Sequence, residues 1–454
     1  MCREGPSADD PDSPADDPSG EVPAAAGPGS PEAADVAITG FIHNYARPRD
    51  CPSTAARLPT YIRPPVAFRR LQPIEHQLAP HYAALRAFAN RRALERSELW
   101  GRIRGEVERV TTAVEQGDAE VASLAGRPLR FVAWNVQRGA RFDSILGALR
   151  DDPGLAAADF VLLSEIDCGL GRSANRNVAR ELAQALGMSY AFAPSYLTLG
   201  DDWGENRAGL ANTSALAGTA ILTRARIVRA ENVDMPALRD KFSSSERRLG
   251  WKRALLIEAD AGLPAGPLLV GACHLDSNAS PADRARQLAA LLDRMPGAQP
   301  AVVGGDFNCS THDLSSPLAV LRDALAKLIR RGLRRTIDGY MRPQDGGERP
   351  LFELLRARGF AIDGFNDPAL ATYHYDFNDP YALQKIRRTG GPLLVALVRW
   401  LSRRWGHCLP ARLDWFAARG LRAAVTAAMV VDPRDAAGRS VSDHAAVACA
   451  AAAP

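Results

Sequence analysis

Four times along this chain an apolar run about as long as a strand stops at a residue that carries chemistry. "FVAWN" stops at Asn135, "FVLLSE" at Glu165, "LLVGACH" at His274, and "AVVGGDFN" at Asp306 and Asn308. Short apolar runs of this length read as buried strands. Their polar ends place donors and acceptors together at one edge of a sheet, where ligand clefts form. A strand sends residues i and i+2 to one face, so Asp306 and Asn308 are expected to point together out of the sheet end. Taken alone, the pair can hold a water, a metal or a phosphate, or be a turn.

The remaining pattern fits a layered α/β fold. Phe131 to Val136 reads as the first strand of a main domain that starts near residue 126. A helix is expected at about 142–150 and another over "NRNVARELAQALGM". "SYAFAPS", "GTAILTRARI" and "RALLIEAD" read as strands, and the helix "SPADRARQLAALLDRM" separates the strands that end at His274 and Asp306. "LDWFAARG", "LRAAVTAAMVV" and "SDHAAVACAAA" close the series. Many short strands with few interposed helices favour a sandwich over a doubly wound sheet.

The domain reading runs 1–36, 37–125 and 126–454. Residues 1–36, rich in Pro, Gly, Ala, Asp and Ser, read as a disordered acidic tail. Residues 37–75 hold too many prolines for a long helix and are expected to form an arm. Leu85, Phe88, Leu99, Ile103, Val107, Val110 and Val114 fall mostly three and four apart, which predicts one or two helices across 76–115. A basic helical insert is expected at about 314–410, with "LAVLRDALAKLIRRGLRR" and "LQKIRRTGGPLLVALVRWLSRRW" as its helices.

Composition excludes some classes. A hydrophobic share of 46% and a charged share of 24% are those of an ordinary soluble globular protein. The net charge of +4 accommodates a phosphate-bearing partner without demanding one. The seven cysteines are scattered with no CxxC pair, which argues against zinc and disulfides and for a reducing, cytoplasmic setting. The acidic start is not a secretory signal, and no run reaches the roughly 18 apolar residues of a membrane span.

The polar strand ends form a chemical inventory. A hard cation such as Mg2+ wants oxygen ligands, which Glu165 and Asn135 supply, with Asp443 as a further donor. Asp306 can take a proton from water, and Asn308 can orient that water or a phosphate oxygen. A histidine paired with a carboxylate stays protonated, which suits His444 with Asp414. Such an imidazolium stabilises charge growing on phosphorus or on a leaving oxygen. His274 is a second candidate, as phosphate ligand or general acid. Together these describe metal-assisted attack of water on a phosphoester. Each residue also has a plainer reading. Glu165 can cap a helix, Asp443–His444 can be a surface pair, His312 a loop residue, and Trp134 core. His374 either sits in a loop or lines the cleft with Thr372.

"WN", "LLSEID", "CHLDS", "GGDFN", "RLDWF" and "SDHAAV" occur in this order. The set resembles the endonuclease/exonuclease/phosphatase superfamily, the deoxyribonuclease I-like fold, over roughly 128–450. The resemblance implies a four-layered α/β sandwich, two facing, mostly antiparallel sheets flanked by helices. It implies that Asn135 and Glu165 hold the metal, Mg2+ with Mn2+ as a substitute. It implies that Asp306 activates or positions the nucleophile beside Asn308, that Asp414 pairs with His444, and that Asp443 orients the site or aids the metal. His274 stands where the deoxyribonuclease I and sphingomyelinase branches carry a histidine and the abasic-site endonucleases do not. Arg172 is a candidate to reach a substrate phosphate.

The expected activity is that of a Mg2+-dependent phosphoester hydrolase, a phosphodiesterase ahead of a monoesterase. The alternatives are a nonspecific or structure-specific nuclease, and an inactive scaffold that keeps the fold. The substrate is a small molecule, a lipid head group or a nucleic acid. The insert reads in three ways: a helical subdomain over the cleft, an interfacial membrane contact through 385–405, or a nucleic-acid phosphate contact. No obligate protein partner is evident.

Overall fold

The computed structural model describes residues 66–454 apart from 122, 201–208, 298, 310–321, 323–331, 380–382, 384–386, 388–390, 393–394, 397 and 425–427. The expected tail, His312 and most of the two arginine-rich insert helices lie outside the described residues. The described residues begin with strand β1 (Arg70–Gln72), helices α1 (Tyr82–Ala87), α2 (Arg91–Glu95) and α3 (Glu98–Thr112), and strand β2 (Glu115–Asp118). Next come β3 (Leu129–Arg138), α4 (Phe142–Asp151), β4 (Phe160–Cys168), α5 (Val178–Leu186), β5 (Ser189–Thr198) and β6 (Leu216–Thr223). The second half holds β7 (Arg226–Asp234), β8 (Arg248–Gly250), β9 (Arg253–Asp260), β10 (Leu268–His274), α6 (Pro281–Leu292) and β11 (Ala301–Asp306). It ends with α7 (Gly332–Met341), α8 (Arg349–Ala357), β12 (Tyr373–Asp376), β13 (Cys408–Ala411), β14 (Asp414–Arg419), β15 (Arg422–Ala423), β16 (Met429–Val431) and β17 (Ala446–Ala452).

These strands build two facing sheets and a separate two-stranded one, β12-β13. The larger runs β1-β2-β5-β6-β4-β3-β17-β15, with β16 beside β17 and β8 beside β5. The smaller runs β14-β11-β10-β9-β7. Among the described strands only β3/β4 and β10/β11 are parallel pairs; the others are antiparallel. Phe131, Phe160 and Leu162 of the larger sheet pack against Leu255, Val270, Val302 and Phe416 of the smaller one. Trp100, Ile103 and Val107 of α3, Ile145 of α4 and Leu182 of α5 cover the outer face of the larger sheet. Leu288 and Leu291 of α6 and Phe352 and Leu355 of α8 cover the smaller. The result is the expected order helix, sheet, sheet, helix.

Local chemistry sets the element ends. α6 opens with a capping box between Ser280 and Asp283 and has a proline in its first turn. α5 is capped by Asn177, whose side chain accepts from Arg180 N–H, and closes on Gly187 in the left-handed region at φ 65°. Gly305 has φ 130°, and a Cβ there would lie 2.1 Å from the Cys273 carbonyl oxygen. Only glycine lets β11 lie this close to β10.

Three expectations are corrected. The stretch read as one or two helices across 76–115 holds three, the last stops at Thr112, and Glu115 begins a strand instead. Glu115 is buried and accepts from Tyr190 Oη (2.6 Å), Asn177 Nδ2 (2.6 Å) and Ile74 N–H (3.2 Å), which a helical continuation would break. This strand extends the larger sheet with β1, so the N-terminal segment is integral to the sandwich. Part of the region read as an insert packs into the sandwich. α8 belongs to the outer helical layer, where Leu351, Phe352 and Leu355 are fully buried and the buried Arg284–Glu348 pair ties it to α6. Finally, Asp306 and Asn308 do not share a strand face, because β11 ends at Asp306.

Candidate active site

Cross-strand register assembles one row of the site. His274, last in β10, pairs with Asp306, last in β11, and Asp306 pairs with Asp414, first in β14. Three neighbouring strands therefore end or begin at one level, and the row faces the larger sheet. There His444, just before β17, donates from Nδ1–H to Asp414 Oδ2 at 2.8 Å. Its Nε2 lies 3.8 Å from Asp306 Oδ2, and His274 Nε2 lies 3.5 Å from the same oxygen. Asp306 is the hub. Its Oδ1 accepts from Asn308 N–H at 2.8 Å, and its Oδ2 accepts from Asn135 Nδ2 at 3.2 Å. Asn308 adopts φ 49° and also donates from Nδ2 to the Leu275 carbonyl at 2.8 Å. A turn closed by the Asp306 side chain, not strand alternation, brings the acid and the amide together.

The larger sheet contributes through two bulges. The β3/β4 register slips between Asn135 and Arg138, and the β4/β6 register slips between Leu163 and Ile166. Glu165 sits in the second bulge at φ 55°, left-handed and strained for a glutamate. Its carboxylate stays 3.9 Å from Arg138 Nε, too far for a hydrogen bond. Asn135 turns its Oδ1 to Gln137 N–H at 3.1 Å, leaving one lone pair on that oxygen. Ser442 Oγ donates to the Asn135 carbonyl at 2.6 Å and approaches Asp443 Oδ1 at 3.3 Å. Asp443 is exposed at the rim, one residue from the buried His444.

The electrostatics divide these groups. Burial works against charge on His444, and the Asp414 and Asp306 carboxylates overcome it, holding its pKa well above the ordinary value. Burial, joined by Lys252, pushes His274 down to about 4. One histidine is an imidazolium at neutral pH and the other a neutral imidazole. Burial and Asp414 raise the Asp306 carboxyl against the pull of His444. Partial loss of water in the cleft and the Glu165 charge raise Asp443. Burial would raise Glu165 too, but Arg138 and its neighbours hold it below the usual carboxylate range.

Thr372 lies beside the site, where the sequence placed it as a candidate, whereas Tyr373, Arg138, Arg248 and Lys252 carried no sequence signal. Thr372 Oγ1 accepts from the N–H groups of both Leu413 and Asp414 (2.9 and 3.1 Å), fixing where β14 begins. Tyr373 lays its ring 4.8 Å from His444. Arg138, Arg248 and Lys252 line the cleft with Glu165 and His274. His374, by contrast, is exposed and stands beside Asp432 and Arg434. Trp134 is core, its indole N–H donating to the His444 carbonyl at 2.9 Å. Arg172 lines the cleft with its guanidinium clamped on Asp167 at 2.8 and 2.9 Å.

The model of the endonuclease/exonuclease/phosphatase family matches residues 132–444. The chain belongs to this family. Membership indicates a hydrolase of phosphoesters, as nuclease or phosphatase. None of the curated proteins compared matches the chain. Among solved structures, an endonuclease/exonuclease/phosphatase from Beutenbergia cavernae DSM 12333 is 16% identical, with 72% of this chain and 71% of that one covered and a TM-score of 0.40. The human Nocturnin catalytic domain with bound sulfate is 16% identical, covering 73% and 95%, at a TM-score of 0.38. Humanized D. rerio TDP2 is 15% identical, covering 72% and 99%, also at 0.38. Likenesses at these scores carry no argument about activity.

Two groups of this family member could hold a divalent cation. Asp306, Asp414 and His444 bring ligand atoms within 4.8 Å of one another, and Asp414 Oδ1 is buried without a hydrogen-bond partner. Glu165, Asn135 and Asp443 form an all-oxygen set, with Glu165 free of hydrogen bonds among the described residues. The first group needs its imidazole to give up a proton that two carboxylates hold. The second needs no such exchange, and a cation would relieve the crowding that raises Asp443. Among the described residues no helix is long and apolar enough to cross a membrane.

Proposed function

We propose that the chain is a Mg2+-dependent phosphodiesterase in which Glu165, Asn135 and Asp443 hold the ion. The carrying observation is Asp306, a buried carboxylate of raised basicity held between a protonated His444 and a neutral His274. The bound ion would polarise a phosphoryl oxygen and neutralise its charge. Asp306 takes the proton of the attacking water, and its raised pKa makes it the better base. Asn308, pinned by Asp306 and Leu275, presents its amide to water or phosphate oxygen. His444, kept cationic by Asp414, stabilises charge on the pentacoordinate phosphorus or the leaving oxygen. His274, neutral, binds a phosphate oxygen through an N–H without adding charge.

The test is hydrolysis of bis(p-nitrophenyl) phosphate by the full chain with Mg2+, with EDTA, and by Asp306→Ala. Turnover that needs both the metal and Asp306 supports the reading. No turnover by folded protein at any divalent metal would sink it. Nicking of supercoiled plasmid under the same conditions separates a nuclease from an enzyme of smaller diesters.

A further inference from the structure

Arg138 and Glu165 come from one bulged stretch of the larger sheet. The β3/β4 register slips just before Arg138, which pairs with Ile166, the neighbour of Glu165. Gln137 and Arg138 take left-handed backbone at φ 46° and 69°, as Glu165 does at 55°. These bulges bring both side chains to the wall of the cleft. A guanidinium and a carboxylate placed so close tend to shut into a short, two-pronged pair. Here they stop at 3.9 Å, Nε to Oε2.

Glu246 supplies the opposing pull. Arg138 Nη2 donates to Glu246 Oε1 at 3.0 Å. Among the described residues, Glu246 and Glu165 are the carboxylates within 4 Å of this guanidinium. Glu246 is itself fixed from two sides. Its carboxylate also takes the guanidinium of Arg248, the first residue of β8, which lies 5.3 Å from the centre of the Tyr196 ring. Its carbonyl accepts from Gly200 N–H at 2.8 Å. A Cβ at Gly200 would lie 2.2 Å from the Ser245 carbonyl oxygen, so glycine lets the turn that carries Glu246 sit against the end of β5. The Arg138 and Glu246 side chains are only 12% and 13% exposed, so water screens their attraction little.

The gap between Arg138 and Glu165 suits a metal ligand in two ways. At this distance Arg138 still favours the ionised carboxylate, which is the form that binds a cation. In contact it would occupy the lone pairs that a cation needs and add a repelling charge beside them.

We propose that Glu246 is a positioning residue for the candidate metal site: it holds Arg138 away from Glu165 and leaves the Glu165 carboxylate open to a divalent cation. This role rests on the reading of Glu165 as a metal ligand.

Calorimetric titration of the full chain with Mn2+ tests the role. Glu246→Ala should bind Mn2+ about tenfold more weakly than wild type, or worse. Arg138→Met should bind at least as tightly as wild type, and Arg138→Met added to Glu246→Ala should recover most of the loss. Glu246→Gln keeps the shape and removes the charge. It should weaken binding in the same direction, and it keeps the test decisive if circular dichroism shows that the alanine variant misfolds. Binding by both Glu246 variants equal to wild type, or no recovery in the double variant, would each overturn the proposal. Crystal structures of metal-free wild type and Glu246→Gln read the geometry directly. In the variant Arg138 should hydrogen-bond Glu165, and an Arg138 that keeps its distance would also overturn the proposal. Failure of the metal reading looks different. If wild type binds no Mn2+, or Glu165→Gln binds it as wild type does, Glu165 is not a metal ligand. The metal role of Glu246 then falls with that reading, while the crystal structures still decide whether Glu246 holds Arg138 back.

Discussion

The two sides of the cleft are built differently. On the smaller sheet, His274, Asp306 and Asp414 sit in regular cross-strand register, and Asp306 is closed in by Asn135, Asn308 and two histidines. On the larger sheet, the Glu165 side chain stands in a bulge at a strained φ with no hydrogen bond among the described residues. One side is preset, its protons distributed by mutual burial. The other keeps charge in reserve for groups that arrive. Strain and unmet charge mark the places where a ligand completes the structure.

Substitutions that break this division should differ in size and kind. Asp306→Ala removes the hub of the preset side, and steady-state turnover of bis(p-nitrophenyl) phosphate should fall by about 10²–10⁴. A loss under tenfold would mean that the base lies elsewhere. Glu165→Gln strikes the other side. Its Mg2+ half-activation point should rise by about 10–100-fold, with a smaller change in turnover at saturating metal. An unchanged metal titration would move the ion to the Asp306–Asp414–His444 group.

Asp414→Asn keeps the hydrogen bond but removes the carboxylate that raises His444. The imidazolium is the active form, so wild-type activity persists until pH rises through the raised folded pKa. In the variant that alkaline limb should move down toward the unperturbed value near 6.5, with about a tenfold loss at pH 8 and less at pH 6. The stability that the pair contributes follows the same sign. It is fully present below the unfolded pKa and disappears as pH rises through the folded one. A limb that does not move would show that His444 does not act as a cation.

The smallest effect concerns the frame. Thr372→Val leaves the N–H groups of Leu413 and Asp414 without their acceptor and should cost about 1–3 kcal/mol in urea unfolding. Turnover per folded molecule should change little, and a large change would make Thr372 part of the reacting site.

Much of this site is legible in the chain itself. The apolar runs ending at Asn135, Glu165, His274 and Asp306 announce strands with chemistry at their ends, because burial on both faces leaves polar groups nowhere else to go. The link between Asp414 and His444 follows from residue types, since a carboxylate stabilises an imidazolium. Other parts carry no local mark. Glu115 looks like the end of a helix until Tyr190, Asn177 and Ile74 are folded around it. Strand alternation would bring Asp306 and Asn308 together, but they meet through a turn.

By itself, then, the sequence determined the layered α/β architecture, the family and the residue types that meet at the cleft, because periodicity and polar strand ends are properties of neighbouring residues. Tertiary structure alone decided the charge states and the reserve. Two histidines of the same intrinsic pKa differ because Asp414 and Asp306 outweigh burial at His444, while burial, helped by Lys252, outweighs Asp306 and Glu165 at His274. Desolvation and through-space Coulomb interactions depend on who is near in the fold, and no spacing along the chain encodes that distance.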